Sequence, residues 1–510
     1  MKPVKGIVGK IFSRFVIMVV LILIQTGWIA LAVLKLGQYT QYTQIAFNVL
    51  SVLMALFVVY RDDNPAYKLG WILLIVLVPI LGSTMYLFFG NKRPSRSLSR
   101  MIDPVTCAHE EDARQEYDLG EISSDRLIHT LQYISDYGRY PAWSETKTKY
   151  YDLADKAFQD MLFDLARAEH YIFMEYFIVA EGYMWDRIYD ILRKKAEKGV
   201  DVRLIYDDIG SIDRVPFGFA DRCERDGIKT VVFNPLKPLL SLVYNNRDHR
   251  KIVVIDGYIG YSGGYNIGDE YINRVSRFGH WKDTGIRLEG RGVWNYTLMF
   301  LNMWNAFRKT ESDYAPYRPD VYNKGPFYSD GIVQPFSDSP LDWENLGENV
   351  YMELLNQAQD YVYIYTPYLI LDNEMKTAMT LAAKRGVDVR LVTPGIPDKH
   401  LIYRLTRSYY RPLINAGVKI YEYIPGFIHA KSCISDDRIG VVGTINLDYR
   451  SLFLHFECGT LMVGCAALRD LKEDCERTFA RSREITEKDC YHTFIGLLFD
   501  SVLRVISPLL

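Results

Sequence analysis

His249-Arg-Lys251-Ile-Val-Val-Ile-Asp256 and, 180 residues further on, His429-Ala-Lys431-Ser-Cys-Ile-Ser-Asp436 share one spacing, HxKxxxxD. In an extended strand, residues i and i+2 point to the same face. His249 and Lys251 therefore point together, while the apolar run Ile252–Ile255 anchors the strand in a core. Asp256-Gly257 makes the following turn, and Gly263-Gly264-Tyr-Asn266 comes next. The second copy has the same sequel at the same interval, Gly443-Thr444-Ile-Asn446. One such motif in 510 residues is weak evidence; two, each trailed by Gly-Gly/Thr-x-Asn, are specific.

The repetition extends outward. Ala168-Glu-His-Tyr-Ile-Phe-Met-Glu175 is echoed by Ala358-Gln-Asp-Tyr-Val-Tyr-Ile-Tyr365. Glu197-Lys-Gly-Val-Asp-Val-Arg-Leu204 is echoed by Lys384-Arg-Gly-Val-Asp-Val-Arg-Leu391, and Gly227-Ile-Lys-Thr230 by Gly417-Val-Lys-Ile420. Offsets of this size mark a duplicated domain, not a solenoid unit. Within the first copy, Tyr171–Ile178 reads as a buried strand. Trp185–Lys198 has helical spacing and stops at Gly199, and Val200–Tyr206 is a strand again. Strand, helix, strand favours parallel pairing and an α/β layer fold. The expected architecture is two similar lobes, 146–330 and 331–493, each a mixed sheet flanked by helices, packed as a pseudo-dimer around one shared site.

Ahead of the lobes, residues 1–92 read as membrane region and 93–145 as a polar linker. Phe15–Leu34 is twenty residues without a charge, Ile45–Tyr60 is sixteen and Leu69–Gly90 is twenty-two. A span needs about 20 apolar residues, so two or three transmembrane helices are expected. A cleaved leader is disfavoured by the length of the first run and the apolar runs behind it. Three full spans leave the basic residues evenly divided. Two spans, with one run interfacial or re-entrant, put Lys2, Lys5, Lys10 and Arg14 on the same side as Lys92, Arg93, Arg96 and Arg100. The expectation is a multi-pass cell-membrane protein with cytoplasmic lobes, the Lys92–Arg100 cluster lying on anionic headgroups. At the other end, residues 494–510 read as an amphipathic helix, membrane-contacting or packed.

A net charge of −2 supplies no global field for nucleic acid. Seven cysteines with no CxxC argue against a zinc cage or a disulfide framework. The 38 tyrosines suit either a lipid interface or β-rich cores. Oligomeric state is not legible.

The motif chemistry points to phosphoryl transfer. A neutral histidine attacks phosphorus, and a second, protonated one gives a proton to the leaving oxygen. Two lysines and the amides of Asn266 and Asn446 neutralise and orient the phosphate oxygens. No metal or other cofactor is needed. Among the acids, Glu175, Asp269, Glu270, Asp283 and Glu457 are candidates to orient a histidine through its second ring nitrogen. His280, His400 and His455 stand outside the motifs and are read as non-catalytic.

This pair of motifs resembles the phospholipase D superfamily and, more narrowly, the chain is similar to bacterial cardiolipin synthases. Besides the motifs, the resemblance rests on Pro79-Ile-Leu-Gly82 with Tyr86–Gly90, Met174-Glu-Tyr-Phe-Ile178, Tyr206-Asp-Asp-Ile-Gly-Ser211 and Gly268-Asp-Glu-Tyr271. Trp281-Lys-Asp-Thr284, Thr366-Pro-Tyr368 and Gly443–Ser451 with Glu457 complete it. It implies a phosphatidyl transfer between two phosphatidylglycerols, giving cardiolipin and glycerol. His249, Lys251, Asp256, His429, Lys431 and Asp436 would be catalytic, with His249 the favoured nucleophile. Asn266, Asn446, Gly264, Thr444, Glu175, Asp269 and Glu457 would orient substrate. Thr444 stands where Ser is commoner in the family, and Gly285 where His is frequent. A hydrolase, or a transferase using another acceptor such as phosphatidylethanolamine, is the competing expectation.

Overall fold

The computed structural model describes residues 23–24, 26–28, 38–90, 96–113, 125–235, 246–342, 344–490 and 493–507. They divide into two compact units, one comprising residues 96–235 and 246–496, the other the amino-terminal residues to 95 with 236–245 and 497–510.

The larger unit holds both lobes. In the first, β1 (Thr146–Tyr151), β2 (Tyr171–Tyr176), β3 (Asp201–Asp207), β4 (Lys229–Phe233), β5 (Lys251–Ile255) and β6 (Ile259–Gly263) precede a short β7 (His280–Lys282) and β8 (Gly285–Gly290). Seven of them form a sheet in the order β1-β8-β6-β5-β2-β3-β4. The β2-β3-β4 part is parallel and the rest antiparallel. In the second lobe come β9 (Ile332–Asp338), β10 (Tyr361–Tyr365), β11 (Asp388–Pro394), β12 (Lys419–Tyr423) and β13 (Gly426–Ile428). They are followed by β14 (Ser432–Ser435), β15 (Ile439–Gly443), β16 (Glu457–Val463) and β17 (Ser482–Ile485). Its sheet runs β17-β12-β11-β10-β14-β15-β16-β9, the first order reversed in writing with one strand added. The duplicated sequence is thus a duplicated topology.

Helix α1 (Gln38–Tyr60), α2 (Pro65–Leu77) and α3 (Pro79–Phe89) belong to the smaller unit; α4 (Arg96–Ala108) and α5 (Asp125–Gly138) lead into the lobes. Beyond these, α6 (Ala154–Arg167) and α7 (Tyr183–Glu197) cover the outer face of the first sheet, where Phe158, Met161, Trp185 and Ile188 are buried on Ile172, Met174 and Leu204. Helix α8 (Val293–Arg308) is buried on nearly every side, as an all-round apolar helix must be. One apolar core surrounds it and is common to both sheets: Phe173, Ile252 and Val254 from the first, Val333, Val442 and Met462 from the second. On the second lobe lie α9 (Leu346–Gln357), α10 (Asn373–Lys384) and α11 (Ala466–Ala480).

In the smaller unit the third apolar run is not one helix. Val78 adopts φ −135° and ψ 76°, and Pro79 opens a new helix. Proline has no N–H to continue the ladder, and its ring drives the preceding residue out of the helical region. The two halves return on each other: the Tyr67 hydroxyl donates to the Gly90 carbonyl at 3.1 Å, and the Trp71 and Tyr86 rings meet edge to face at 5.4 Å. At the crossing, a Cβ on Gly82 would lie 2.4 Å from the Leu74 carbonyl oxygen, so only glycine permits this approach. At 1.5 Å per residue each limb reaches about 20 Å or less, short of a hydrocarbon core of about 30 Å. Among the described residues no helix is long and apolar enough to cross a membrane. The expected span over Leu69–Gly90 is therefore corrected to a helical hairpin. Leu69, Leu73, Val76 and Leu77 on α2, and Val52, Leu53, Leu56 and Phe57 on α1, point outward and stay exposed. Of the expected first span, Phe15–Leu34, only residues 23–24 and 26–28 are among the described residues, and Lys92 and Arg93 lie outside them. Helix α12 (Phe494–Ile506) leaves Phe494, Leu498 and Val502 exposed while Asp500 and Leu503 are buried.

Candidate active site

Each motif histidine lies just before its strand, and each is joined there to the opposite lobe. Residues 247–249 run parallel to the stretch 455–457: Phe456 N–H donates to the Arg247 carbonyl at 2.8 Å and His249 N–H to the Phe456 carbonyl at 2.9 Å. This pairing lays Glu457 alongside His249, and the His249 Nδ1 to Glu457 Oε2 distance is 2.9 Å. The mirror arrangement uses β7 and β13, which pair in parallel, and His429 N–H donates to the Lys282 carbonyl at 2.7 Å. Asp283 is thereby laid against His429, Oδ2 to Nδ1 at 2.7 Å. Each histidine is oriented by a carboxylate from the other lobe.

Two further contacts fix these carboxylates. A Cβ on Gly264 would sit 2.1 Å from Asp283 Oδ1, so a glycine there leaves room for the acid. Lys282, adjacent in sequence, forms a buried pair with Asp474 of α11 at 2.9 Å, tying the Asp283 strand to the second lobe. At the place where lobe one has Gly264, lobe two has Thr444, whose hydroxyl donates to Glu457 Oε2 at 2.5 Å. Lys251 and Lys431 each donate Nζ to the carbonyl of the histidine two residues earlier.

The electrostatics follow from burial. Desolvation pushes the His249 imidazole down to about 3, against the pull of Glu457 and with Lys251 adding to the fall. Burial and then Lys431 bring His429 down to about 4 despite Asp283. Burial alone would raise both acids, but His249 holds Glu457 far below the usual carboxylate range, and His429 and Lys431 lower Asp283. Both lysines are depressed by desolvation, Lys251 to about 8 and Lys431 to about 7. Glu457 and Asp283 act on both lysines, and Lys251 acts on both histidines, so the two halves form one electrostatic cluster.

The other sequence candidates are placed differently. Asp256 and Asp436 stand seven residues beyond their histidines, about 20 Å along an extended strand. Asp256 accepts the backbone N–H groups of Glu169, His170 and Tyr171, each at 2.8 Å; Asp436 accepts those of Gln359, Asp360 and Tyr361. Both have positive φ, 48° and 52°, in the turn that ends the strand. They hold the fold of the motif and sit apart from the cluster of histidines, lysines and carboxylates. Glu175 pairs with buried Arg250 at 2.5 Å, not with a histidine, and burial pushes its carboxyl well up. Asp269 caps α7, accepting from Tyr183 and Met184 N–H, and Glu270 pairs with Arg214. The Asn266 amide is already committed, accepting from Ile178 N–H at 3.0 Å and donating to the Tyr271 hydroxyl at 2.9 Å. Asn446 differs: its Oδ1 is buried without a hydrogen-bond partner. His455, read from sequence as a bystander, lies against the His249 ring at 5.6 Å between centroids.

A family profile described as "Cardiolipin synthase, PLD-like domain" matches residues 161–276 and 351–481, and one described as "Phospholipase_D-nuclease N-terminal" matches 49–91. An uncharacterised protein of Streptococcus mutans is 46% identical over 89% of this chain and 99% of its own length. Cardiolipin synthase 1 of Bacillus anthracis is 31% identical over 99% of this chain and 100% of its own length. Among solved structures, a phosphatidylserine synthase of Haemophilus influenzae shares the fold, with a TM-score of 0.57 at 14% identity, covering 76% of this chain and 100% of that one.

Proposed function

The chain belongs to the cardiolipin synthase family of the phospholipase D superfamily, and we propose that it joins two phosphatidylglycerols into cardiolipin with release of glycerol. The observation that carries the mechanism is the crossed pair of histidine–carboxylate contacts within one cluster that also holds two lysines.

In the proposed first step His249 Nε2 attacks the phosphorus of one phosphatidylglycerol. The phosphorus–oxygen bond to glycerol breaks, and His429 gives its proton to the departing oxygen. In the second step the glycerol hydroxyl of another phosphatidylglycerol attacks the phosphatidyl-histidine. His429 takes back a proton, and the phosphorus–nitrogen bond breaks. Glu457 steadies the positive charge on His249, and Asp283 does so on His429. Support for His249 as the nucleophile is the family resemblance together with the extra Thr444 hydroxyl on Glu457, which favours the ionised carboxylate.

With the site empty, His429 is neutral at pH 7 and cannot act as an acid. The substrate corrects this. One negative charge at about 4 Å, in an effective dielectric near 20, contributes about 4 kcal/mol, or roughly three pKa units. A phosphodiester anion therefore raises His429 from its lowered value toward the protonated form, and the imidazole takes up from water the proton that the leaving oxygen needs.

The lysines set the alkaline limit. A lysine depressed to about 7 or 8 carries its charge only below that pH, so raising pH through this window removes the phosphate grip. We expect kcat/KM for phosphatidylglycerol to fall more than about tenfold between roughly pH 6 and 9. A flat profile across that range contradicts this assignment.

The reaction is tested with purified protein in detergent micelles containing phosphatidylglycerol alone. Cardiolipin and glycerol in equal amounts are expected. Phosphatidic acid as the sole product identifies water as the acceptor and overturns the reading. A requirement for added phosphatidylethanolamine overturns the choice of acceptor.

We also infer attachment to the cell membrane through the outward apolar residues of α1 and the α2–α3 hairpin, with the uncharged run Phe15–Leu34 as a further anchor and the lobes on the cytoplasmic side.

A further inference from the structure

His455 is not used by this mechanism, yet it sits at its centre. It precedes Glu457 by two residues on the stretch that pairs with the His249 strand. Both of its ring nitrogens are buried and lack a hydrogen-bond partner, and so is Glu457 Oε1. The gap between His455 Nδ1 and that oxygen is 3.7 Å, too long for a hydrogen bond. A buried polar atom left unpaired costs on the order of 1–3 kcal/mol. The two nitrogens of one imidazole point apart, so at most one of them can share a ligand with Glu457 Oε1, and that pair of donor atoms is left without a protein hydrogen bond.

The donor atoms of His249, His455 and Glu457 all lie within 4.8 Å of one another. Two imidazoles and one carboxylate around an open fourth position make the ligand set preferred by zinc and its first-row neighbours. Magnesium and calcium demand mostly oxygen ligands and fit poorly here. Two bonds of about 2.0 Å at a tetrahedral centre hold their ligand atoms about 3.3 Å apart, so small side-chain rotations from the observed spacings bring the three together.

We propose that His249, His455 and Glu457 form a binding site for a divalent ion of the zinc class, and that its occupancy switches the enzyme off. The bound ion takes an imidazole nitrogen of His249. If it takes Nε2, the lone pair that attacks phosphorus is gone. If it takes Nδ1, the proton shared with Glu457 is displaced and the ring turns. The binding part stands on these three side chains alone; the inhibitory part rests on His249 being the nucleophile.

The full-length protein, stripped with chelator in detergent micelles, is titrated with Co²⁺ while the visible band of four-coordinate cobalt is followed. One equivalent is expected to saturate the band, and Zn²⁺ to bleach it. His455→Asn and His249→Ala should lose the band, whereas His429→Ala should keep it despite being inactive. In turnover assays, His455→Asn should need at least about tenfold more Zn²⁺ than the parent for half inhibition, each measured against its own activity in chelator. Absence of the band in the parent, an undiminished band in His455→Asn, or equal zinc sensitivity of the two overturns the site. Binding without inhibition overturns the switch and directs the failure at the reading of His249 as nucleophile.

Discussion

Replacing either motif histidine is expected to lower turnover by about 10⁴ or more, because members of a nucleophile and acid–base pair act as a unit and fail together. His249→Ala removes the attacking nitrogen and His429→Ala the proton donor. A phosphatidyl donor with a good leaving group separates the roles. Such a group departs without protonation, so His429→Ala should still form the covalent intermediate and then stall, since no base activates the second alcohol. Mass analysis of the trapped protein should place the phosphatidyl group on the peptide containing His249, and His249→Ala should trap nothing. Adduct on His429 in the His249→Ala protein reverses the assignment. Appreciable turnover of phosphatidylglycerol by either variant refutes a site shared between the lobes.

The second large effect concerns the borrowed carboxylates. Glu457→Gln and Asp283→Asn preserve size but remove the anion that fixes the Nδ1–H tautomer and supports the cationic imidazole. Losses of about 10²–10⁴ in kcat are expected, on the scale of comparable histidine–acid pairs. Their signatures should differ in a way that no local structural effect reproduces. Asp283 serves His429, so Asp283→Asn should recover intermediate formation with the good leaving group. Glu457 serves His249, so Glu457→Gln should stay slow with any donor. The opposite pattern would show that the acids serve the other histidines in solution.

The duplication, the α/β lobes and the four central side chains were legible in the sequence because they repeat at fixed spacing. Which acid serves which histidine was not. Glu457 stands 208 residues from His249 and Asp283 stands 146 from His429, so only strand pairing between lobes brings them together. Asp256 and Asp436 misled for the opposite reason. Their regular spacing looks like chemistry, yet it reflects a turn that needs an acceptor for three backbone N–H groups. Glu175, Asp269 and Asn266 lie near motif strands but are spent on Arg250, a helix start and a tyrosine. At the amino terminus, hydropathy registered twenty-two residues of apolar sequence over Leu69–Gly90. It could not register that Pro79 and the close approach at Gly82 fold that length in half.

The crossing of the carboxylates bears on ancestry. Because each lobe lends one acid and borrows one, the arrangement closes on itself under a twofold axis, as a self-complementary dimer contact does. A chain of one lobe would carry the whole set of groups only when paired with a second copy. Gene fusion frees that pair from concentration and from identity, so the two halves can drift apart in sequence. Here the drift reaches the site itself: one lent acid is Asp283 and the other Glu457, and Gly264 stands beside Asp283 while Thr444 grips Glu457. A symmetric ancestor could not have told its two histidines apart; one added hydroxyl is enough to begin a division of labour between them.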